Sequence, residues 1–143
     1  MQTTFEMPHN FELFQQGYPQ VAAVGTDIVE IEDFRHLPLD SHRLFYKRVF
    51  TQREIDYCQS YSDPPERFAV RFAGKGAVIK ALGGRVSFQH IEIWTAPNGR
   101  PCVNLIENSE DVPLEPRDAK AKIMISLSNT VSHALAFVML LAD

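Results

Sequence analysis

The stretch Glu66–Gly83 (ERFAVRFAGKGAVIKALG) constrains this chain more than any other. It contains no proline, and Phe68, Phe72, Ile79 and Leu82 recur at three-, four- and seven-residue steps, so the spacing predicts an amphipathic helix. Pro64 and Pro65 stand just before it, where a helix begins without losing a bonded N–H. Asp63 is placed to cap the start, and Gly83-Gly84 offers a stop. Arg67, Arg71 and Lys75 fall four apart as one cationic stripe, and Gly76 and Lys80 share a neighbouring face. A basic stripe on a half-buried helix suits phosphate recognition. A plain solvated face has the same pattern.

The strands are read from what flanks this helix. Val21–Glu32 (VAAVGTDIVEIE) is rich in β-branched residues and predicts a strand, with Gly25 marking close approach of another backbone. Asp27 lies among apolar neighbours, and an unpaired buried carboxylate is costly. Two readings fit it: a salt bridge or Asx-type turn, or a ligand for a hard cation such as Mg²⁺. Asp33–Cys58 reads as broken helix, interrupted at Leu37-Pro38, with a capping-box pattern at Thr51 and Glu54 and a second basic group at Arg43, Lys47 and Arg48. Beyond Gly84 the period changes to two: Ile91–Ala96 and Pro101–Ile106 flank an Asn98-Gly99 turn as a hairpin. Glu107–Ala121 is an acidic, proline-containing surface excursion, and Lys122–Ser128 and Ala134–Leu141 are two closing strands. Helices and strands are segregated, which predicts an α+β fold with an antiparallel sheet.

Length and charge narrow the function classes. The chain has 143 residues, about one domain: an N-terminal extension (1–20) and a single domain (21–143). A net charge of -4 argues against non-specific nucleic-acid binding. The longest apolar run, Ala134–Ala142, is too short to cross a bilayer, and the N-terminus lacks a secretory pattern. Cys58 and Cys102 read as free thiols of a reducing compartment, and the five histidines show no metal spacing. A cytoplasmic protein is expected.

Three segments, in this order and spacing, carry more than generic architecture: GTDIVEIE at Gly25–Glu32, RFAGKGAVIKALG at Arg71–Gly83 and ISLSNT at Ile125–Thr130. With the R-x-F-T-x-x-E pattern at Arg48–Glu54 and the N-G-x-P turn, the chain resembles the holo-acyl-carrier-protein synthases, small 4'-phosphopantetheinyl transferases, over roughly Val21 to Leu141. The resemblance implies the 4'-phosphopantetheinyl transferase-like fold with a long central helix. It also implies a homotrimer with active sites at subunit interfaces, and transfer of phosphopantetheine from coenzyme A to a serine of an acyl carrier protein. Such chemistry belongs to fatty acid biosynthesis and lipid metabolism, although a carrier for specialised products fits equally.

Carried over residue by residue, Asp27 is a metal ligand and, with Lys80, catalytic. Arg71, Lys75, Lys80 and Arg48 contact coenzyme A. The chain departs from the pattern at two chemical positions: Gly76 replaces the second metal-binding glutamate, and Asn129 replaces the S-H-T histidine. Weakened or lost Mg²⁺ binding is expected from the first, and loss of any titrating role near neutral pH from the second. Asp33 replaces a basic residue on the face that docks the carrier, although Arg35 is close. The alternative is a catalytically degraded homologue acting as a coenzyme A-binding or structural subunit.

Overall fold

The computed structural model describes residues 20–106 and 122–142. The expected extension, apart from Gln20, and the 107–121 excursion lie outside the described residues. The order of elements is β1 (Gln20–Glu30), α1 (Ile31–Arg35), α2 (Arg43–Val49), α3 (Gln52–Gln59), α4 (Pro64–Ala81), β2 (Ile91–Thr95), β3 (Pro101–Leu105), β4 (Lys122–Asn129) and β5 (His133–Ala142). Short 3-10 turns at Leu39–Ser41 and Phe88–His90 complete it. The fold is α+β, and its antiparallel strands divide into two sheets, β1-β5-β4 and the hairpin β2-β3.

The first strand is shorter than its composition predicts. It ends at Glu30, and Ile31 opens α1 instead of continuing the alternation. Ile31 and Phe34, three apart, are both buried, which only a helical turn achieves for that spacing. Thr51 and Glu54 form the expected capping box on α3: Glu54 N–H donates to Thr51 Oγ1 at 3.2 Å, and Thr51 N–H to Glu54 Oε1 at 2.8 Å. Asp63 stands at the start of α4 but makes no side-chain cap. Its carboxylate takes a two-pronged bond from Arg35, both arms 2.9 Å. That hydrogen bond holds the Asp63 carboxyl below its ordinary pKa.

α4 packs across β1 and β5 on a face of small residues that the aromatic spacing does not reveal. Ala69, Ala73, Ala77 and Ala81, at successive four-residue steps, are all buried. Gly25 answers them from the strand: a Cβ there would overlap the Ala77 carbonyl oxygen and come within 2.9 Å of Ala81 N. The predicted close backbone approach is therefore α4 itself. Inward residues Ala134, Ala136, Val138 and Leu140 of β5 complete this layer. A cluster of Phe34, Tyr46, Phe50, Phe68 and Phe72 joins the short helices to α4, with ring centroids 4.7–6.5 Å apart.

The opposite face of the three-stranded sheet carries Val24, Ile28, Met124, Leu135 and Phe137, each at least 40 % exposed. No helix among the described residues is long and apolar enough to cross a membrane.

Candidate active site

Asp27 points from β1 toward α4, because odd-numbered residues of this strand face the helix. There Lys80 Nζ donates to Asp27 Oδ1 at 3.2 Å. The lysine side chain is 60 % exposed and the carboxylate 20 %, so the pair lies at the surface with the anion beneath the cation. Gly76, one turn before Lys80, completes the contact. The atoms nearest a Cβ at position 76 would be those of Asp27: it would overlap Oδ2 and lie 3.0 Å from Cγ. The carboxylate thus occupies the volume that any side chain at 76 would need. Among the described residues no three His, Cys, Asp or Glu side chains gather to hold a metal. Mg²⁺ is commonly held by one or two carboxylates, with substrate phosphates and waters filling the shell. This donor set fits a Mg²⁺ that arrives on a diphosphate, and does not fit one held by the protein alone.

On the other flank of α4 lies an open cavity of about 430 Å³, reached by residues of α3, α4, β4 and the hairpin. Arg71, 4 % exposed, donates to Thr95 Oγ1 at 2.7 Å and lies 4.3 Å over the Tyr57 ring, while its Nε is buried with no partner. Arg67, one turn earlier, lies 4.5 Å over the Tyr61 ring. The Tyr57 hydroxyl donates to that of Tyr61 at 3.0 Å. Burial works to raise the Tyr57 pKa, but hydrogen bonds with Thr95 and Tyr61 and the charges of Arg71 and Arg67 outweigh it, and the pKa falls. Ser126 and Asn129 line the same cavity, so Asn129 stands with Arg71 and not with Asp27. Across the sheet Asp27 pairs with Ala136, and Ala136 with Leu127, which lines the cavity. Two strand spacings separate the flanks, about 10 Å.

Lys75 does not extend the cationic stripe to the surface. Its side chain is fully buried, and Nζ donates to Glu54 Oε1 at 2.6 Å, while Glu54 Oε2 accepts Ile93 N–H at 2.9 Å. Burial pushes the Lys75 pKa down, against the pull of Glu54. The expected phosphate contact therefore has no free ammonium: Glu54, the last residue of the R-x-F-T-x-x-E pattern, has claimed it. Arg48 is exposed in the last turn of α2 beside Lys47 and lines neither flank. Glu30 ends β1 on the face away from α4, opposite His133. Arg35, two residues beyond Asp33, is engaged by Asp63. Sequence spacing missed Tyr57, Tyr61 and Thr95. A signal was present, because Tyr57 and Tyr61 repeat the four-residue step of Arg67 and Arg71.

Comparison with known proteins converges on one description. The family model for the 4'-phosphopantetheinyl transferase superfamily matches residues 23–137. A holo-[acyl-carrier-protein] synthase of Geotalea daltonii is 36 % identical over 124 residues, covering 84 % of this chain and 98 % of that protein. A holo-[acyl-carrier-protein] synthase from a Shewanella species is 44 % identical over 94 residues, 63 % of this chain and 74 % of its own length. Among solved structures, the holo-(acyl-carrier-protein) synthase of Bacillus anthracis in complex with CoA (3',5'-ADP) superposes with a TM-score of 0.68. It is 26 % identical and covers 86 % of this chain and 98 % of that one.

Proposed function

This chain belongs to the 4'-phosphopantetheinyl transferase superfamily, within its holo-acyl-carrier-protein synthase branch, and on that premise we propose that it moves the 4'-phosphopantetheine arm of coenzyme A onto a serine of an acyl carrier protein. The observation that carries this reading is the meeting of Asp27 and Lys80 beside Gly76. In this transfer the serine hydroxyl oxygen bonds to the phosphorus bearing pantetheine and gives up its proton to solvent, and the bond from that phosphorus to the bridging oxygen breaks, releasing 3',5'-ADP. Charge builds on the leaving nucleotide, so fixed cations lower the barrier. Lys80 is placed to be one of them: it is exposed, and its partner among the described residues is the Asp27 carboxylate. Its role is to bind the diphosphate, with Asp27 orienting the ammonium.

Mg²⁺, when bound, neutralises further charge on the diphosphate. Asp27 would hold it alone, since Gly76 contributes no ligand, and the metal's affinity depends on the substrate being present. Arg71, with its buried unpartnered Nε, is the coenzyme contact on the second flank. Lys75 has a structural role in this reading, and Arg48 joins Arg43 and Lys47 as exposed cations suited to an acidic carrier surface.

The exposed apolar face of β1-β5-β4 supports a homotrimer, because three such faces turned inward bury the patch that a monomer leaves wet. An active site at the subunit interface then brings the Asp27–Lys80 flank of one copy toward the cavity of the next.

Incubation with an apo-acyl carrier protein, coenzyme A and Mg²⁺, read by mass spectrometry, tests the activity. Gain of one phosphopantetheine per carrier is expected. No gain at stoichiometric enzyme removes the catalytic claim. Calorimetric binding of coenzyme A without that gain would identify the second reading, a coenzyme-binding subunit, which the absent carboxylate at Gly76 favours.

A further inference from the structure

We infer that Lys80 competes with the metal for Asp27, and that Gly76 is the residue that lets it. Coenzyme A then opens the metal position itself, by drawing the ammonium off Asp27 and onto its diphosphate. The inference rests on the reading of Asp27 as the protein's metal ligand, and adds to it the group that must leave first.

Both oxygens of the Asp27 carboxylate are turned toward α4. Oδ1 accepts the Lys80 ammonium at 3.2 Å. Oδ2 rests against Gly76, inside the volume that a Cβ there would fill. A carboxylate so placed already holds a cation, and a dication can take it only by displacing the first. Glycine is what makes the placement possible. Any other residue at 76 brings a Cβ into the Oδ2 volume, and the carboxylate then moves off the helix face and out of this position against Lys80. Position 76 therefore acts twice: it offers no ligand, and it lets Asp27 lie back on α4 beneath an ammonium.

The pair is net neutral, so at rest it draws a dication only weakly. It is also easily parted, because the lysine is largely exposed on a flexible stem. A diphosphate changes the balance. It carries two negative charges against the one on Asp27, and the ammonium moves to the larger charge. Asp27 is then left without its cation and faces a group of like sign, the setting in which a dication bridges carboxylate and phosphate oxygens. Metal and coenzyme thus enter together, and Lys80 is the residue that couples them. The plainer account is that Gly76 only omits a ligand and the ion pair is incidental. It predicts that a methyl group added at position 76 leaves metal binding as it is.

Paramagnetic Mn²⁺, which takes the same oxygen ligands as Mg²⁺, separates these accounts by nuclear magnetic resonance on the full, isotope-labelled chain. It broadens nearby amide signals even when weakly bound, so the slope of broadening at Asp27 and Ile28 against Mn²⁺ concentration reads affinity. Without coenzyme the wild type should give a shallow slope. Gly76→Ala adds no ligand and removes no charge, yet should steepen the slope about two- to fivefold, the worth of a partly exposed surface pair. Lys80→Met should steepen it at least as much. With saturating coenzyme A the gap between wild type and Gly76→Ala should close, because Lys80 has already been drawn away. A slope in Gly76→Ala no greater than that of the wild type overturns the competition, and a rise in Lys80→Met alone is then ordinary charge repulsion. A gap that persists under coenzyme A overturns the displacement of Lys80 by the diphosphate. Asp27→Asn should abolish the broadening; broadening that survives it overturns the metal reading of Asp27 instead. Spectra unchanged by millimolar coenzyme A overturn the coenzyme reading and leave the first comparison standing.

Discussion

Restoring a carboxylate at position 76 tests the spatial relation on which the proposed chemistry depends. Gly76→Ala should be close to neutral: helix propensity gains about 1 kcal/mol, and pushing Asp27 away from Lys80 loses a partly exposed surface pair worth about 0–1 kcal/mol. The atoms nearest the new Cβ belong to the Asp27 side chain, whose carboxylate end can swing aside. Gly76→Glu adds a second anion beside the first. Two carboxylates about 4 Å apart repel by about 1 kcal/mol in water and about 4 kcal/mol at an effective dielectric near 20. Asp27 is largely but not wholly buried, and Lys80 offsets part of the repulsion. Without metal, the glutamate variant should therefore be less stable than the alanine variant by roughly 1–3 kcal/mol. A chain of this size loses roughly 3–4 °C in Tm per kcal/mol, so the deficit is roughly 3–12 °C. Mg²⁺ relieves it, because saturation at about 100 Kd contributes about 2.7 kcal/mol. Thermal melts with EDTA and then with MgCl₂, at ionic strength matched with NaCl, read the difference. The glutamate variant should rise by several degrees with Mg²⁺ specifically, and the wild type should scarcely move. Indifference of the glutamate variant to Mg²⁺, or an equal rise in the wild type, would refute the placement of position 76 over Asp27.

Breaking the buried pair singly, by Glu54→Gln or Lys75→Met, should cost about 3–5 kcal/mol in urea unfolding. The double variant should cost less than the sum, because neither charge is left alone. Stability should also fall at alkaline pH. Burial pushes the Cys58 thiol from 9.0 to about 12, so the unfolded chain releases this proton first. The contribution is fully present below pH 9 and lost by pH 12, at up to about 1.4 kcal/mol per pH unit; Cys58→Ala should flatten the slope of urea midpoints against pH, whatever its offset at neutral pH. On the outer sheet face, Ile28→Asp or Phe137→Lys should reduce the sedimentation mass toward a monomer with an unchanged far-UV spectrum. An unaltered mass would remove the trimer role of this face.

Much of the molecule could be read before its structure, because its signals are local. The capping box at Thr51 and Glu54, the Asn98-Gly99 hairpin and the α4 period each lie within a few residues of chain. Gly25 announced a close approach, and only the partner was missing. What could not be read is what one side chain chooses among distant partners. Asp63 has the residue type and place of a cap, yet Arg35, 28 residues away, offers a charged fork that outbids a backbone N–H. Lys75 continues the spacing of Arg67 and Arg71, yet the helix rotates it inward to Glu54. Ile31 alternates correctly for a strand and turns inward as helix, because the core beneath takes Phe34 as well. In the site, the Asp27–Lys80 meeting follows from motifs. The division between two flanks of α4 does not, because it depends on which strand pairs with β5.

Where Gly25 meets Ala77, main chain rests on main chain, and nothing adjustable lies between them. Side-chain cores absorb drift by changing rotamers, but this seam has none to change. The gap that sets Asp27 opposite position 76 should therefore survive repacking elsewhere in the domain and yield to a single methyl group at Gly25. A library selected for folding ought to tolerate change widely through the aromatic cluster while returning glycine at that one place.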